Sequence, residues 1–205
     1  LFFCSIPGNC KFEIDDVEDE WMYRHAFDYI HGRQLHVCSG DFESVTQKAF
    51  AALNPGGYFE LQDRLPVTCI DDSWNGTNIR RWESLLLEGA KKLGADWAKV
   101  GKYRQWMEAA GFVDINELEL CWPTNSWPRS KFHKQLGQLT NEVMKRGLHG
   151  VSVEILTAAH GMTATDISLL LEEVEKDLDN RSIHCNVPMY VLQICKKMRC
   201  FADIE

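Results

Sequence analysis

Long apolar runs, clustered cations and paired cysteines are all missing from this sequence. No stretch approaches the roughly 20 consecutive apolar residues that cross a bilayer, so no membrane span is expected. The opening Leu1-Phe2-Phe3-Cys4 is apolar, but it is too short for a signal peptide and lacks the basic flank. Both absences lead to the expectation of a soluble, intracellular protein of cytoplasm or nucleus. Lys and Arg number 22 against 30 Asp and Glu, a net charge of -8. The cations are dispersed apart from Lys196, Lys197 and Arg199, which read as a solvated terminus. A nucleic-acid surface needs Lys and Arg clustered against the phosphates, so none is expected.

The eight cysteines are Cys4, Cys10, Cys38, Cys69, Cys121, Cys185, Cys195 and Cys200, with no C-x-x-C pair and no histidine at finger spacing. Neither a zinc site nor a disulfide framework follows from that spacing. Cys121 and Cys195 fall in apolar strand-like runs, where cysteine serves as a small buried hydrophobe. His25, His31 and His36 do not converge under helical or strand periodicity, so no metal set is expected. Pro55-Gly56-Gly57 lacks the Gly-Lys-Ser/Thr element of a phosphate loop and reads as a tight reversal.

What is present is an ordinary globular composition, 45% apolar and 25% charged, in 205 residues, enough for a sizeable core. Its most informative part is a β-α-β pattern. A short apolar strand over residues 27–30 ends in His31-Gly32-Arg33; a helix over 43–53 follows, with Val45, Ala49, Phe50 and Leu53 on one face. Pro55-Gly56-Gly57 stops that helix, and a strand over 58–62 begins. Upstream, residues 11–14 alternate as a strand. Downstream, a loop over 64–76 precedes helices over 78–93 and 99–110 and a strand over 112–122. Helices follow over 131–146, 153–160 and 163–180, the last with Thr163 or Thr165 as N-cap. A strand over 189–195 closes the pattern, which predicts an α/β fold with a mostly parallel sheet.

Open parallel sheets bind ligands beyond the carboxyl ends of their strands. His31, Gly32 and Arg33 stand at such an end, either serving a ligand or, for Arg33, pairing structurally with Asp28 or the acids at 15–20. Asp15-Asp16-Val17-Glu18 has two readings as well. Its carboxylates can accept hydrogen bonds from an adenine amino group or ribose hydroxyls, or Asp15 or Asp16 can cap a short helix over 18–23. Glu60, a carboxylate inside an apolar strand, needs a partner. The tryptophans fall mostly at helical spacing, as core or lid; Trp122-Pro123 and Trp127-Pro128 bracket a loop able to cover a pocket.

Five stretches in order, residues 10–21, 27–33, 55–62, 108–113 and 188–191, resemble the fungal LaeA-like (TAM-domain) methyltransferases. These are similar in fold to the class I S-adenosylmethionine (SAM) enzymes. The resemblance implies a Rossmann-like, mostly parallel sheet flanked by helices, with SAM across the strand ends. The implied cofactor set is Asp15, Asp16, Val17, Ile30, His31, Gly32 and Arg33. Asp16 and Val17 would meet the adenine, and Ile30, His31 and Gly32 the methionine part. His31 is the one candidate general base, the implied reaction being methyl transfer to a small-molecule or protein acceptor. The family's glycine-rich loop lies upstream of the segment matching residues 10–14, and nine residues precede that segment here. The expectation is therefore one partial methyltransferase domain over residues 1–205, lacking the first two strands and that loop, with a helical insertion or lid over 130–180. Such a chain is a fragment of an enzyme, a member acting through protein contacts in fungal secondary metabolism, or a chain completed by a protein partner.

Overall fold

The computed structural model describes residues 7–37 and 41–196. Leu1-Phe2-Phe3-Cys4, Cys38, Cys200, Lys197 and Arg199 lie outside the described residues. The elements are β1 (Phe27–Arg33), α1 (Phe42–Ala52), β2 (Leu53–Arg64), β3 (Thr68–Cys69) and α2 (Asn78–Lys92). They continue as α3 (Tyr103–Ala110), β4 (Phe112–Pro123), α4 (Lys131–His160), α5 (Ala164–Asp179) and β5 (Cys185–Lys196).

The fold is α/β, but its sheet is mixed rather than mostly parallel. β1 pairs with β2 in parallel, as the crossover pattern requires; β5 runs antiparallel to β2, β3 and β4. The α4–α5 insertion accounts for that. Pro123 at the end of β4 lies opposite Asn186 at the start of β5, so the helices leave and return at the same end of the sheet. The strand that follows must then run back along the one before.

Side chains alternate across the sheet, and each face has its own apolar core. Phe59, Leu61, Leu192 and Ile194 pack against Phe42, Val45 and Ala49 of α1 and Tyr103 and Met107 of α3. The Phe42 and Tyr103 rings stack there at 4.0 Å. On the opposite face Cys185, Val187 and Met189 meet Ile79 and Trp82 of α2, Leu156 of α4, and Ile167, Val174 and Leu178 of α5. Trp82 ties this layer together, donating from Nε1 to Ser152 Oγ at 2.8 Å. Capping follows the sequence where the sequence is explicit. Asp41 caps α1, Thr163 and Asp166 form a capping box on α5, and Gly111 at φ 98° ends α3.

Five local expectations are corrected. Residues 11–14 are not a strand, and Phe12 and Ile14 are exposed; alternation makes no strand without a neighbour to pair with. Residues 18–23 are not a helix. The Asp16 carboxylate instead accepts the Glu18 N–H at 2.9 Å and the turn ends there. Pro55-Gly56-Gly57 is not a separate reversal, because α1 gives way to β2 at Leu53. The turn is a bulge inside β2, where the β1–β2 register slips between Phe27 and Tyr29 and Gly56 takes φ 82°. The helices expected over 131–146 and 153–160 are one 30-residue helix. Gly147 and Gly150 are tolerated within it at the usual small penalty. Cys121 is exposed on the edge strand β4 rather than buried; Cys195 is half-buried and Cys185 buried.

Candidate functional site

β1 has a strand on one side only among the described residues. A cavity of about 480 Å³ wraps its open edge. Ile30 and Gly32 line it from the face that α1 covers, His31 and Arg33 from the other, with Val17 and Trp21 closing it from the N-terminal segment. That segment is held by aromatic contacts: Trp21 and Tyr23 pack edge-to-face at 5.8 Å, Tyr23 and Phe27 at 4.9 Å. Trp21 Nε1 also donates to the Val17 carbonyl at 3.1 Å. Five of the seven residues expected at a cofactor site (Val17, Ile30, His31, Gly32 and Arg33) thus share one cavity. Asp15 and Asp16 are exposed and absent from its lining.

The pattern His31-Gly32-Arg33 is part of β1 rather than a loop beyond it. Gly32 is there because a Cβ at that position would meet Leu35 Cδ1 at 2.6 Å and Leu61 Cδ2 at 2.8 Å. His31 lies opposite Glu60 in the parallel register. Its Nδ1 is 3.3 Å from Glu60 Oε1, which also accepts from Gln62 Nε2 at 2.8 Å. The partner that Glu60 needs is therefore this pair. The neighbouring Tyr29 stacks on the His31 ring, and desolvation, then Glu60, raises its phenol above the ordinary value. Arg33 pairs with none of the acids considered for it. Asp28 instead accepts from Asn54 Nδ2, leaving the Arg33 guanidinium without an ion pair among the described residues.

Below the rim is a buried network that sequence reasoning did not find. Asp63, at the end of β2, is fully buried. Its Oδ1 accepts from His36 Nδ1 at 2.9 Å and its Oδ2 from the Tyr103 hydroxyl at 2.9 Å. A carboxylate is acceptor-only, so the His36 proton sits on Nδ1. Burial first, and the Asp63 charge second, push the Tyr103 phenol far above its ordinary value. Nothing in the spacing announces this trio; a charged residue at an inward-facing position of β2, two residues after buried Leu61, is the one signal.

A second cavity, of about 520 Å³, lies beneath α4 and shares Arg33 with the first. Among the described residues no group of three or more His, Cys, Asp or Glu can hold a metal. No helix among the described residues is long and apolar enough to cross a membrane.

Three fungal relatives bear on this geometry. "Probable methyltransferase tdiE" of Emericella nidulans is 32% identical over 182 residues, 88% of this chain and 57% of that protein. "Methyltransferase pytC" of Aspergillus terreus is 27% identical over 87% of this chain and 56% of its own length. "Secondary metabolism regulator LAE1" of Cochliobolus heterostrophus is 29% identical over 88% of this chain and 61% of its own. No family model matches. The chain spans a little over half the length of the curated relatives it matches, and across that span it is similar to fungal methyltransferases and to a regulator of secondary metabolism.

Proposed function

We propose that the chain is part of a SAM-dependent methyltransferase, with the cavity on the open edge of β1 as one wall of the cofactor site. The carrying observation is that Val17, Ile30, His31, Gly32 and Arg33 line that cavity together at the carboxyl end of a parallel pair. The residues fit one side of the cofactor. Val17, Trp21 and Ile30 offer an apolar wall for a purine, and Ile30, His31 and Gly32 line the part of the cavity that would take the methionine moiety. The cofactor, when bound, supplies a methyl group on a sulfonium centre. His31 is the group to take a proton from the acceptor, its ring oriented by Glu60. The α4–α5 insertion is the lid, and the protein works inside the cell on a methyl acceptor.

Calorimetric titration with S-adenosylhomocysteine tests the reading. Binding at a Kd of about 1 μM, near -8 kcal/mol, supports it. No heat from a cooperatively folded chain supports instead a second reading, action through protein contacts. One observation favours that alternative: Tyr29 and Tyr58, and further along the same sheet face Leu118 and Leu120, are all more than two-fifths exposed, large apolar side chains of the kind that partners cover.

A further inference from the structure

The second cavity has a chemistry of its own. Its floor is β4 and β5, through Trp122 and Met189, and its roof is α4, through Leu139 and Val143. Both roof residues are strongly exposed, 62% and 70%, although apolar residues of a helix ordinarily face a core. They turn instead toward this open volume of about 520 Å³, a size typical of small-molecule sites. Two arginines, Arg33 and Arg64, are part of its lining. Arg64 is partly committed, 3.5 Å from Glu83 and over the Trp97 ring at 5.9 Å; Arg33 has no ion pair among the described residues. No acid lines the cavity, in a chain whose net charge is -8.

We infer that this cavity binds a small apolar molecule carrying one anionic group, a carboxylate or its equivalent, with the anion on Arg33. That molecule is the methyl acceptor only insofar as the methyltransferase reading above holds. An anion next to an unpaired guanidinium in an apolar surround gains a charge-assisted, potentially bidentate bond. A protonated amine, such as a lysine side chain, meets two cations and no carboxylate, and is repelled. The cavity therefore selects for acidic small molecules and against lysine-bearing peptides. Because Arg33 belongs to both cavities, the bound anion lies beside the rim where the cofactor is placed.

The test is calorimetric titration of the whole chain, without cofactor, with three molecules of one shape: 2-naphthoate, 2-naphthylmethanol and 2-naphthylmethylamine. The acid binds at least about tenfold more tightly than the alcohol, one charge-assisted bond's worth, and the amine does not saturate. Leu139→Glu removes the acid's binding, whereas Leu139→Lys retains it. Both variants keep the parent circular dichroism spectrum, since residue 139 is already exposed. Arg33→Gln brings acid and alcohol to equal affinity. Equal binding of acid and alcohol to the parent chain, tighter binding of the amine, no binding of any probe, or indifference to Leu139→Glu each overturns the inference. S-adenosylhomocysteine is titrated separately. Naphthoate binding without it upholds the cavity and removes the methyl-transfer reading; the reverse pattern removes the cavity assignment alone.

Discussion

His31 and Glu60 face one another across the one parallel strand pair among the described residues, Nδ1 3.3 Å from Oε1. The ring is partly open to solvent, whereas that of His36 is buried against Asp63. Diethyl pyrocarbonate followed by mass spectrometry is therefore expected to modify His31 many-fold faster than His36. Added S-adenosylhomocysteine should slow His31 and leave His36 unchanged. Equal rates for the two histidines contradict the geometry, and absence of protection contradicts the cofactor assignment.

The Asp63 network makes a stability prediction. Tyr103→Phe keeps the stacking on Phe42 but leaves Asp63 Oδ2 without its buried donor. Loss of a hydrogen bond to a charged group costs about 1.5–3 kcal/mol, read from the urea midpoint at an unchanged slope.

Two kinds of glycine in α4 behave in opposite ways. A Cβ at Gly137 would come within 2.0 Å of the Asn125 carbonyl oxygen, whereas nothing lies within 4 Å at Gly147 or Gly150. Gly137→Ala is expected to destabilise by about 1–3 kcal/mol through overpacking against backbone. Gly147→Ala and Gly150→Ala are each expected to stabilise by about 0.5–1 kcal/mol through helix propensity. Thermal melts of the three variants check the signs.

Acid should weaken the turn before α2. Hydrogen bonds from Ser73 first, and from His184 next, hold the Asp71 carboxyl well below the usual carboxylate range. A depressed folded pKa gives stability that is complete above the unfolded value of about 4 and is lost as pH falls below it. The difference in urea midpoint between the parent chain and Asp71→Asn should therefore be largest at neutral pH. It should shrink progressively in acid; a gap that grows there contradicts the assignment.

Much of this fold was legible because the informative residues are local. The apolar strand before His31 and the apolar face of Val45 and Ala49 led to the β-α-β unit, and Thr163 led to the start of α5. Patterning failed where the outcome depends on distant chain. Residues 11–14 alternate correctly but find no neighbouring strand. The sequence pattern leaves a gap between helices over 131–146 and 153–160, yet tertiary packing of Leu148, Ser152 and Leu156 carries α4 through it. At the site, His31, Gly32 and Arg33 were legible as the end of a strand in a β-α-β pattern, whereas their meeting with Val17 followed only from family resemblance, since it joins segments that no periodicity links. Asp63 and His36, 27 positions apart, carry no common pattern, and their bond became visible only in the fold.

The central claim is that the cavity on the open edge of β1 is a wall of a cofactor site. Hydrogen–deuterium exchange of the whole chain, with and without S-adenosylhomocysteine, tests it most directly. The prediction is slowed exchange across residues 17–21 and 30–35, the segments that carry Val17, Trp21, Ile30, His31, Gly32, Arg33 and Leu35 of the cavity lining, with α2 unaffected. Unchanged exchange at both segments, or protection confined to α2 and α5, contradicts it.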